Sequence, residues 1–464
     1  MTDTAADHRA FSSLALAAPV LANLERLGYA TMTPIQAAAL PLALAGRDLI
    51  AQARTGSGKT AAFALALLAR LDARRFDVQA LVLCPTRELA DQVTAEIRRL
   101  ARAEENIKVV TLAGGVPLRG QTNSLAHGAH VVVGTPGRVL DHLGRETLKL
   151  DALNTLVLDE ADRMLDMGFH DDMVEVASRS SKERQTLLFS ATYPEGIAQL
   201  AARFLRQPAT VKVESQHGNA QIEQRWYEVK EGERLQAVSR LLDHFRPASS
   251  LAFCNTKAQC KQLGELLQAQ GYSALALYGD LEQRERDQVL VQFANRSASV
   301  LVATDVAARG LDIASLAAVI NVDVTPDAEV HVHRIGRTGR AGETGLALNL
   351  ASLDEMGAVG RIEQLQGSPS RFHPLAELAP TGKGPLQPAM ATIHIQGGRK
   401  EKIRPGDVLG ALTADLGYTR EQVGKIDVNE FSTYVAVERS IAQDVAKRLD
   451  GGRVKGKAVR ARLL

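Results

Sequence analysis

The chain has 464 residues, of which 45% are hydrophobic and 23% are charged, and its net charge is +2. This composition is typical of a globular protein with two or three domains, and the weak net charge means that any nucleic-acid site has to be local. The three cysteines, Cys84, Cys254 and Cys260, have no metal-ligand spacing and favour reduced thiols in a cytoplasmic protein. No apolar run reaches the roughly 18 residues of a membrane span, so no membrane segment is expected.

The first helices are expected on either side of Gly28. Residues 11–27 are predicted to form one short helix that ends before this glycine. Pro34 suits the first turn of a second helix and would place Gln36 at its start. A solvated side chain is the plainer interpretation of Gln36 alone. It lies just upstream of a phosphate-binding pattern, however, where its amide could read the donor and acceptor edges of adenine.

The pattern that follows is the most informative one in the chain. Residues 51–60 read Ala-Gln-Ala-Arg-Thr-Gly-Ser-Gly-Lys-Thr, between a strand-like approach and an Ala/Leu run with high helix propensity. This is the phosphate-loop arrangement, in which Gly56 and Gly58 let backbone N–H groups point into one concavity at a helix N-terminus. Lys59 could bridge the β- and γ-phosphates, and Thr60 could place its hydroxyl on Mg²⁺.

Five further apolar runs predict the strands of the same domain, at residues 80–84, 109–112, 130–133, 153–158 and 186–189. Each ends in polar or glycine-rich residues, and most are followed by a helix. This alternation predicts a doubly wound parallel sheet whose sites lie beyond the carboxyl ends of the strands. Asp159 and Glu160 follow one of these runs and could hold Mg²⁺ and polarise water, although an acidic pair could also only cap a helix.

A second α/β domain is expected after the polar residues 214–220, which predict a linker. Its strands are expected at residues 226–229, 250–254, 273–278, 300–304, 317–322 and 345–350. This domain has no Gly-Lys-Thr, so one nucleotide site shared by two similar domains is the simplest interpretation. Arg337 and Arg340 lie in a glycine-containing loop, where planar guanidiniums could clamp γ-phosphate oxygens or contact RNA phosphate.

The last part of the chain differs in composition. Residues 366–388 are rich in proline, glycine and serine, which is typical of a linker. Residues 389–464 are predicted to run β-α-β-β-α-β, an order that RNA-recognition modules use. This unit contains 14 Lys and Arg against 9 Asp and Glu, whereas the rest of the chain contains 41 against 44. Lys455, Lys457 and Arg460 therefore fit a nucleic-acid contact, although a solvated strand face would also explain them.

These segments make up an ordered motif set. Its members are Phe11 with Gln36, residues 53–60, 85–90, 114–115, 135–138, 159–162, 190–192 and 253–256, Gln283 with Arg286, and residues 303–312 and 333–340. Over about residues 11–350 the set resembles that of the DEAD-box RNA helicases. The resemblance implies two RecA-like doubly wound parallel-sheet domains, followed by a small RRM-like βαββαβ domain. The expected ranges are 1–213 and 221–365 for the α/β domains, 366–388 for the linker and 389–464 for the last domain.

The resemblance also implies roles for residues by their position. ATP and Mg²⁺ would be bound by Phe11, Gln36, Ala53, Arg54, Thr55, Gly56, Ser57, Gly58, Lys59, Thr60 and Asp305, with Thr60 and Asp159 as metal ligands. Catalysis would depend on Lys59, Asp159, Glu160, Arg337 and Arg340. Ser190 and Thr192 would couple hydrolysis to unwinding. RNA would lie along Thr86, Arg87, Gly115, Thr135, Arg138, Gln283, Arg286 and Thr304, and in the last domain along Lys455, Lys457 and Arg460.

The last domain resembles that of the DbpA subfamily, in residues 424–427, 434–437 and 452–457. This implies a monomer that binds a hairpin of 23S ribosomal RNA and remodels short duplexes during large-subunit assembly. An ATP-gated RNA clamp without productive unwinding stays open, as does the weaker alternative of a DNA helicase. The usual aromatic motif of RNA modules is missing from the sequence. Phe431 and Tyr434 are the aromatics of the expected hairpin, and since either could be a core residue, a basic edge is the expected RNA contact.

Overall fold

The computed structural model describes residues 10–53, 56–104, 106–193, 195–213, 222–308, 316–339 and 344–464. Two compact units divide near residue 216. The first unit contains one α/β domain, and the second contains another α/β domain together with the C-terminal domain. The expected linker at residues 214–220 lies outside the described residues.

The first domain is a parallel sheet between two layers of helices. Its strands are β1 (Leu49–Gln52), β2 (Ala80–Leu83), β3 (Val109–Leu112), β4 (Val131–Gly134), β5 (Thr155–Leu158), β6 (Gln185–Ser190) and β7 (Ala209–Lys212). Its helices are α1 (Ala18–Arg26), α2 (Pro34–Leu44), α3 (Lys59–Leu68), α4 (Arg87–Leu100), α5 (Leu118–Ala126), α6 (Pro136–Gly144), α7 (Ala161–Asp166), α8 (His170–Ser178) and α9 (Glu195–Phe204). The strand order is β3-β4-β2-β5-β6-β1-β7, with parallel pairing. Every residue of β2, β4, β5 and β6 is buried, which explains their continuous apolar runs.

The prediction of one helix over residues 11–27 is wrong. A single 3-10 turn, Phe11–Ser13, comes first, and the α-helix begins only at Ala18. Pro19 explains the position of this start, because proline has no backbone N–H to donate and is best tolerated in the first turn of a helix. The second helix does begin at Pro34, as expected.

The second domain repeats this plan. Its strands are β8 (Ile222–Glu228), β9 (Ser250–Cys254), β10 (Ala274–Leu277), β11 (Val300–Thr304), β12 (Ala318–Asn321), β13 (Gly345–Ala351) and β14 (Phe372–His373). They lie in the order β10-β11-β9-β12-β13-β8-β14. Its helices are α10 (Arg234–Phe245), α11 (Lys257–Ala269), α12 (Gln283–Ala294), α13 (Asp305–Ala308), α14 (Ala328–Ile335) and α15 (Met356–Gln366). The two parallel sheets confirm the predicted doubly wound architecture.

The expected linker, residues 366–388, follows a defined path along the second domain. Strand β14 lies within it and pairs with β8 at the sheet edge. Beyond β14, Arg246 Nη1 donates to Gly384 O at 2.6 Å, and Thr381 Oγ1 donates to Asp243 Oδ1 at 2.9 Å. Side-chain hydrogen bonds of this kind hold a proline-rich segment that cannot form a regular backbone ladder.

The C-terminal domain is an antiparallel sheet with helices on one face. Its strands are β15 (Met390–Gln396), β16 (Val423–Val428), β17 (Ser432–Glu438), β18 (Arg453–Val454), β19 (Lys457–Ala458) and β20 (Ala461–Leu463). The main sheet has the order β16-β17-β15-β20, and β18 pairs with β19. The helices are α16 (Pro405–Gly410), which a π-helical turn at Ala411–Asp415 continues, and α17 (Ala442–Leu449).

The last strand, expected at residues 458–464, is β20, and a hairpin of β18 and β19 that the sequence did not predict comes before it. Lys455 and Gly456 form the two-residue turn of this hairpin, and their φ angles are 54° and 74°. Two successive positive φ values define the turn type that suits the twist of a tight hairpin. The turn depends on Lys455, a non-glycine residue in the left-handed region, which is why the sequence did not predict it.

One face of the C-terminal sheet is buried against the second α/β domain around Thr392. The Thr392 side chain is fully buried, and its Oγ1 lies 2.6 Å from Ser297 Oγ and 3.2 Å from Asn295 Nδ2. Tyr434 is 2% exposed, so it belongs to the packed interior, whereas Phe431 is 63% exposed. The sheet face that other RNA modules use for stacking is therefore occupied at this point by protein.

The three cysteines are free and buried. Burial raises the pKa of each thiol, and that of Cys260 reaches about 11. Among the described residues, no group of three or more His, Cys, Asp or Glu side chains could hold a metal ion. Across the same ranges, the helices are too short or too polar to span a bilayer.

Candidate active site

The phosphate loop of the first domain depends on two glycines in the left-handed region. Gly56 has a φ of 81° and Gly58 a φ of 91°, and α3 begins at the next residue, Lys59. A Cβ atom on Gly58 would lie 2.6 Å from Gln36 Nε2, so a side chain there would displace this glutamine. Lys59 is 6% exposed, and its Nζ donates to Ala53 O at 2.8 Å across the loop. The ammonium group is therefore held at the concave side of the turn.

Gln36 joins the second helix to this loop. Its Oε1 accepts from Thr33 N at 2.9 Å, which completes a capping box, and its Nε2 donates to Gly58 O at 3.1 Å. Each end of the amide makes one bond in the protein, so Oε1 has a second lone pair and Nε2 a second hydrogen with which it could read adenine. Phe11, 4% exposed, packs edge-on against Tyr29 with 6.0 Å between ring centroids. The adenine-binding role of Gln36 and Phe11 stays a prediction.

Asp159 and Glu160 lie directly after β5 in a buried position. They are 3% and 8% exposed, and Asp159 Oδ1 accepts from Glu160 N at 3.0 Å. Burial and the neighbouring Glu160 carboxylate raise the pKa of Asp159 to about 7, against the opposing effect of the nearby Lys59 ammonium. An Asp159 carboxylate that is so costly to ionise would be stabilised by a divalent cation.

The donor atoms here fit Mg²⁺ and a polyphosphate. Mg²⁺ prefers oxygen ligands, and the Thr60 hydroxyl and Asp159 carboxylate are of this kind. Ser57 Oγ is buried and makes no hydrogen bond within the described ranges, so it has bonding capacity left for a ligand. The N-terminus of α3 adds its positive dipole end. Arg54 and Thr55, which were also expected at this site, lie outside the described residues.

Asp162 joins the acidic segment to the residues that follow β6. Its Oδ2 accepts from Thr192 N at 2.9 Å, Thr192 Oγ1 at 3.0 Å and Ala191 N at 3.2 Å. Asp162 is 4% exposed, so these bonds are largely shielded from water. The sequence assigned coupling to Ser190 and Thr192 but gave no role to Asp162, because nothing local shows which strand end its carboxylate faces.

Gln121 performs a similar joining role on the expected RNA path. The Gln121 Oε1 atom accepts from Arg138 Nη1 at 3.0 Å and lies 3.0 Å from His142 Nε2. The Gln121 Nε2 atom donates to Ala113 O at 2.8 Å. It thereby connects the Gly115 segment with the helix that carries Arg138. Burial and the nearby Arg138 charge lower the pKa of His142, which favours a neutral ring that donates through Nε2. No local pattern in the sequence pointed to Gln121.

Thr86 and Arg87 begin α4 at the carboxyl end of β2. Thr86 Oγ1 accepts from Leu89 N at 3.3 Å and so caps the helix. Arg87 Nε lies 3.6 Å from Asp91 Oδ2, whereas its Nη1 is buried and has no hydrogen-bond partner in the part of the chain that the structure describes. This atom is suited to an acceptor such as a phosphate oxygen.

Arg334 organises the corresponding strand ends of the second domain. Only 2% of it is exposed, and its guanidinium donates to both carboxylate oxygens of Asp305, at 2.8 and 2.6 Å. It also donates to Asn255 Oδ1 and to Asp323 O, both at 2.8 Å, and lies over the Phe253 ring. Asp305, expected to bind nucleotide, is thus a partner of Arg334, a residue that the sequence analysis did not single out.

Arg337 follows α14 in a buried turn and is 8% exposed. Its backbone N–H donates to Arg334 O at 3.1 Å, and the next residue, Thr338, forms a parallel bridge with Leu316. The turn therefore has a defined backbone. Arg340 lies outside the described residues.

The expected RNA residues of the second domain lie at α12 and the end of β11. Gln283 Nε2 donates to Asp287 Oδ1 at 2.8 Å, and Arg286 Nη2 donates to Ala307 O at 2.8 Å. Thr304 Oγ1 accepts from Ala307 N at 3.4 Å. Arg286 and Thr304 are thus brought together at Ala307, and their contact with RNA stays a prediction.

The basic residues expected in the C-terminal domain surround one turn. Lys455 Nζ donates to Lys402 O at 2.8 Å, and Lys457 Nζ donates to Glu401 O at 2.9 Å. Arg460 is more open, with 77% of its side chain exposed. Two of the three expected contacts are therefore ordered by the protein, and Lys455 Nζ also lies 3.3 Å from Asp407 Oδ2.

Comparison with protein families agrees with this architecture. The model of the DEAD/DEAH box helicases matches residues 33–200, and that of the helicase conserved C-terminal domain matches residues 233–342. The model of the DbpA RNA binding domain matches residues 392–463. All three domains seen in the structure are thus covered.

Individual relatives show the same similarity. The chain is 53% identical over 457 residues to the ATP-dependent RNA helicase DbpA of Escherichia coli, which covers 98% of this chain and 99% of that protein. It is 44% identical over 355 residues to the DEAD-box ATP-dependent RNA helicase CshA of Geobacillus kaustophilus, with 76% of each chain covered.

Among solved structures, Saccharomyces cerevisiae Dbp5 bound to RNA and ADP-BeF3 has a TM-score of 0.73 and 31% identity, covering 80% of this chain and 96% of that one. Mss116p bound to single-stranded RNA and AMP-PNP has a TM-score of 0.70 and 25% identity, covering 79% and 80%. The fold and the phosphate loop thus define a two-domain helicase that uses ATP with Mg²⁺. With its C-terminal domain included, the chain belongs to the DEAD-box ATP-dependent RNA helicases, of the DbpA type. The predicted family, fold class, enzyme activity and cofactors are confirmed.

Proposed function

We propose that this helicase binds a hairpin of 23S ribosomal RNA through its C-terminal domain and remodels short RNA duplexes during assembly of the large ribosomal subunit. The similarity to a DbpA protein over the whole length of both chains carries this proposal. We further propose that it acts as a cytoplasmic monomer, since two helicase domains and one docking domain are sufficient for this work. RNA, rather than DNA, is the proposed substrate.

Within the first domain, we assign nucleotide binding to the phosphate loop. Lys59 and the N–H groups at the start of α3 would hold the phosphates, and Thr60 and Asp159 would hold Mg²⁺. When bound, Mg²⁺ neutralises charge that develops on the β- and γ-phosphate oxygens. Glu160, adjacent to Asp159 and 8% exposed, would orient the attacking water. The buried position of both carboxylates strengthens these electrostatic effects.

The second domain would supply Arg337 and Arg340 to the charge that develops on the transferred phosphate. RNA that binds residues of both domains would favour the arrangement in which these guanidiniums reach the nucleotide, so ATP and RNA would bind cooperatively. The hydrogen bonds of Asp162 to Thr192 offer a route by which the acidic segment affects the RNA side of the first domain. Ser190 and Thr192 keep their proposed coupling role.

The docking proposal is tested by reversing charge in the intact chain. The double variant Lys455→Glu with Lys457→Glu should lose the stimulation of ATPase activity by the 23S hairpin but keep the basal rate. Lys447→Glu, an exposed lysine on α17, is the matched control and should behave like the parent. The docking proposal is wrong if the hairpin stimulates the double variant as strongly as the parent, or if an unrelated RNA stimulates the parent equally.

The remodelling proposal needs a separate measurement. Release of a strand from a short duplex joined to the hairpin should require ATP, and a non-hydrolysable analogue should support less release over repeated cycles. If ATP and the analogue give only stable RNA binding and no strand release, an ATP-gated RNA clamp describes the protein better.

A further inference from the structure

The C-terminal domain exposes one aromatic ring. Phe431 lies at the tip between β16 and β17 and is 63% exposed. The other two aromatic residues of this domain are engaged by protein: Tyr434 is 2% exposed, and Tyr418 OH donates to Asp444 Oδ2 at 2.5 Å. Exposing a phenylalanine ring to water is unfavourable, so this position is a candidate for a contact with another molecule.

The tip that carries Phe431 is held rigidly. Gly397 N donates to Phe431 O at 3.0 Å, Arg399 N to Asn429 O at 2.8 Å and Lys400 N to Glu430 O at 3.0 Å. These bonds join the tip to the turn that follows β15. A Cβ atom on Gly398 would lie 2.3 Å from Asn429 O, so this close approach requires glycine. A rigid platform loses little conformational entropy when it binds a ligand.

One lysine lies over the ring, and two more lie at the adjacent turn. Lys400 Nζ lies 5.1 Å from the ring centroid and 3.2 Å from Glu430 Oε1, and 57% of its side chain is exposed. On the other side of the same turn, Lys455 and Lys457 donate to the backbone carbonyls of residues 402 and 401, and Lys455 Nζ also lies 3.3 Å from Asp407 Oδ2. We call this group of Phe431, Lys400, Lys455 and Lys457 the basic corner. The nearby Glu401 already accepts from Gly398 N at 2.7 Å.

We propose that an unpaired RNA base stacks on Phe431, with the lysines of the basic corner contacting the flanking phosphates. This inference rests on the proposed function, because it requires the C-terminal domain to bind RNA. Aromatic rings stack with any base, whereas bases inside a duplex are already stacked, so the site would select unpaired nucleotides. The same stacking cannot take place on the sheet face around Thr392, which the second domain covers.

The test compares two RNA probes with the full-length protein. One probe is a hairpin with an unpaired loop, and the other is a blunt duplex of the same stem. Phe431→Ala should weaken binding of the looped hairpin on the order of tenfold and leave binding of the duplex unchanged. The slope of affinity against salt concentration should stay at the parent value, because no phosphate contact is lost, whereas Lys400→Ala should reduce it. Equal affinity of the parent and Phe431→Ala for the looped hairpin would overturn the proposal.

Two further variants make the interpretation specific. Phe431→Trp should keep the affinity, and the introduced indole should be quenched by the looped hairpin but not by the duplex. Phe76 in the first domain is also exposed, at 52%, and Phe76→Ala should bind the looped hairpin like the parent. If Phe76→Ala loses as much affinity as Phe431→Ala, a specific role of Phe431 is refuted. If the Lys455→Glu and Lys457→Glu variant also binds normally, the proposed function of the domain fails. If only Phe431→Ala binds normally, the stacking alone is refuted.

Discussion

Arg334 and Arg337 lie in the same glycine-containing segment, but replacing them should have different effects on stability and activity. Arg334 is buried and hydrogen-bonded to three strand ends, so we expect Arg334→Met to destabilise the second domain. Arg337 lies three residues further on, in the turn assigned to catalysis. We expect Arg337→Ala to abolish RNA-stimulated ATP hydrolysis and to leave the second domain folded.

The size of the first effect follows from the contacts. Arg334 Nη2 lies 2.6 Å from Asp305 Oδ2. The Arg334 side chain is 1% exposed and that of Asp305 is 24% exposed. Removing one partner of a buried ion pair costs about 3–5 kcal/mol, and we expect the lower half of this range because water reaches part of Asp305. With an m-value of about 2 kcal/mol per molar urea, the unfolding midpoint should fall by about 2 M.

The chain contains a natural reporter for this experiment. Trp226 is its single tryptophan, lies in β8 of the second domain and is 2% exposed. Its fluorescence during a urea titration therefore reports unfolding of this domain and not of the first domain. Arg334→Lys, which keeps the charge but loses the planar group, should fall between the parent and Arg334→Met.

Two results would contradict this reasoning. An Arg334→Met midpoint equal to that of the parent would show that the buried ion pair does not stabilise the domain. A midpoint for Arg337→Ala as low as that of Arg334→Met would show that the two arginines do not have separate roles. Turnover by Arg337→Ala at the parent rate would refute its catalytic assignment.

Three further predictions follow from single contacts. Gln121→Leu should raise the RNA concentration needed for half-maximal ATPase stimulation about tenfold and leave the basal rate unchanged. The reason is that a lost hydrogen bond to a charged group costs about 1.5–3 kcal/mol. An unchanged RNA requirement would count against a positioning role of Gln121. Thr192→Val removes the hydroxyl's bond to Asp162, while the backbone N–H bond stays, and should lower strand release per ATP hydrolysed, measured as the ratio of the two rates; an unchanged ratio would argue against coupling. Burial lowers the pKa of His331 to about 3, so the unfolded chain takes up a proton near pH 6.5 that the folded chain does not. The free energy of unfolding should therefore fall by about 1.4 kcal/mol per pH unit as the pH falls from about 6.5 towards 3. His331→Gln should reduce this slope, measured by urea titrations followed by Trp226 fluorescence.

Features that depend on adjacent residues were predictable from the sequence. The strands buried on both faces are continuous apolar runs, because both of their faces contact helices. The phosphate loop was readable because its glycines, its lysine and the start of α3 are consecutive in the chain. The order of elements in the C-terminal domain was predicted for the same reason, although the hairpin with its turn at Lys455 and Gly456, before the last strand, was not.

The tertiary structure alone decided how distant side chains combine. Asp162 reaches Thr192 across 30 residues, and Arg334 reaches Asp305 across 29, so no local pattern could show either pair. Burial separated Tyr434 from Phe431, two aromatic residues that the sequence left equivalent, because packing on one side of the hairpin depends on strands far away in the chain. The sequence by itself determined which chemical groups this helicase possesses, and the fold determined which of them are partners, because hydrogen bonding and burial depend on distance in space.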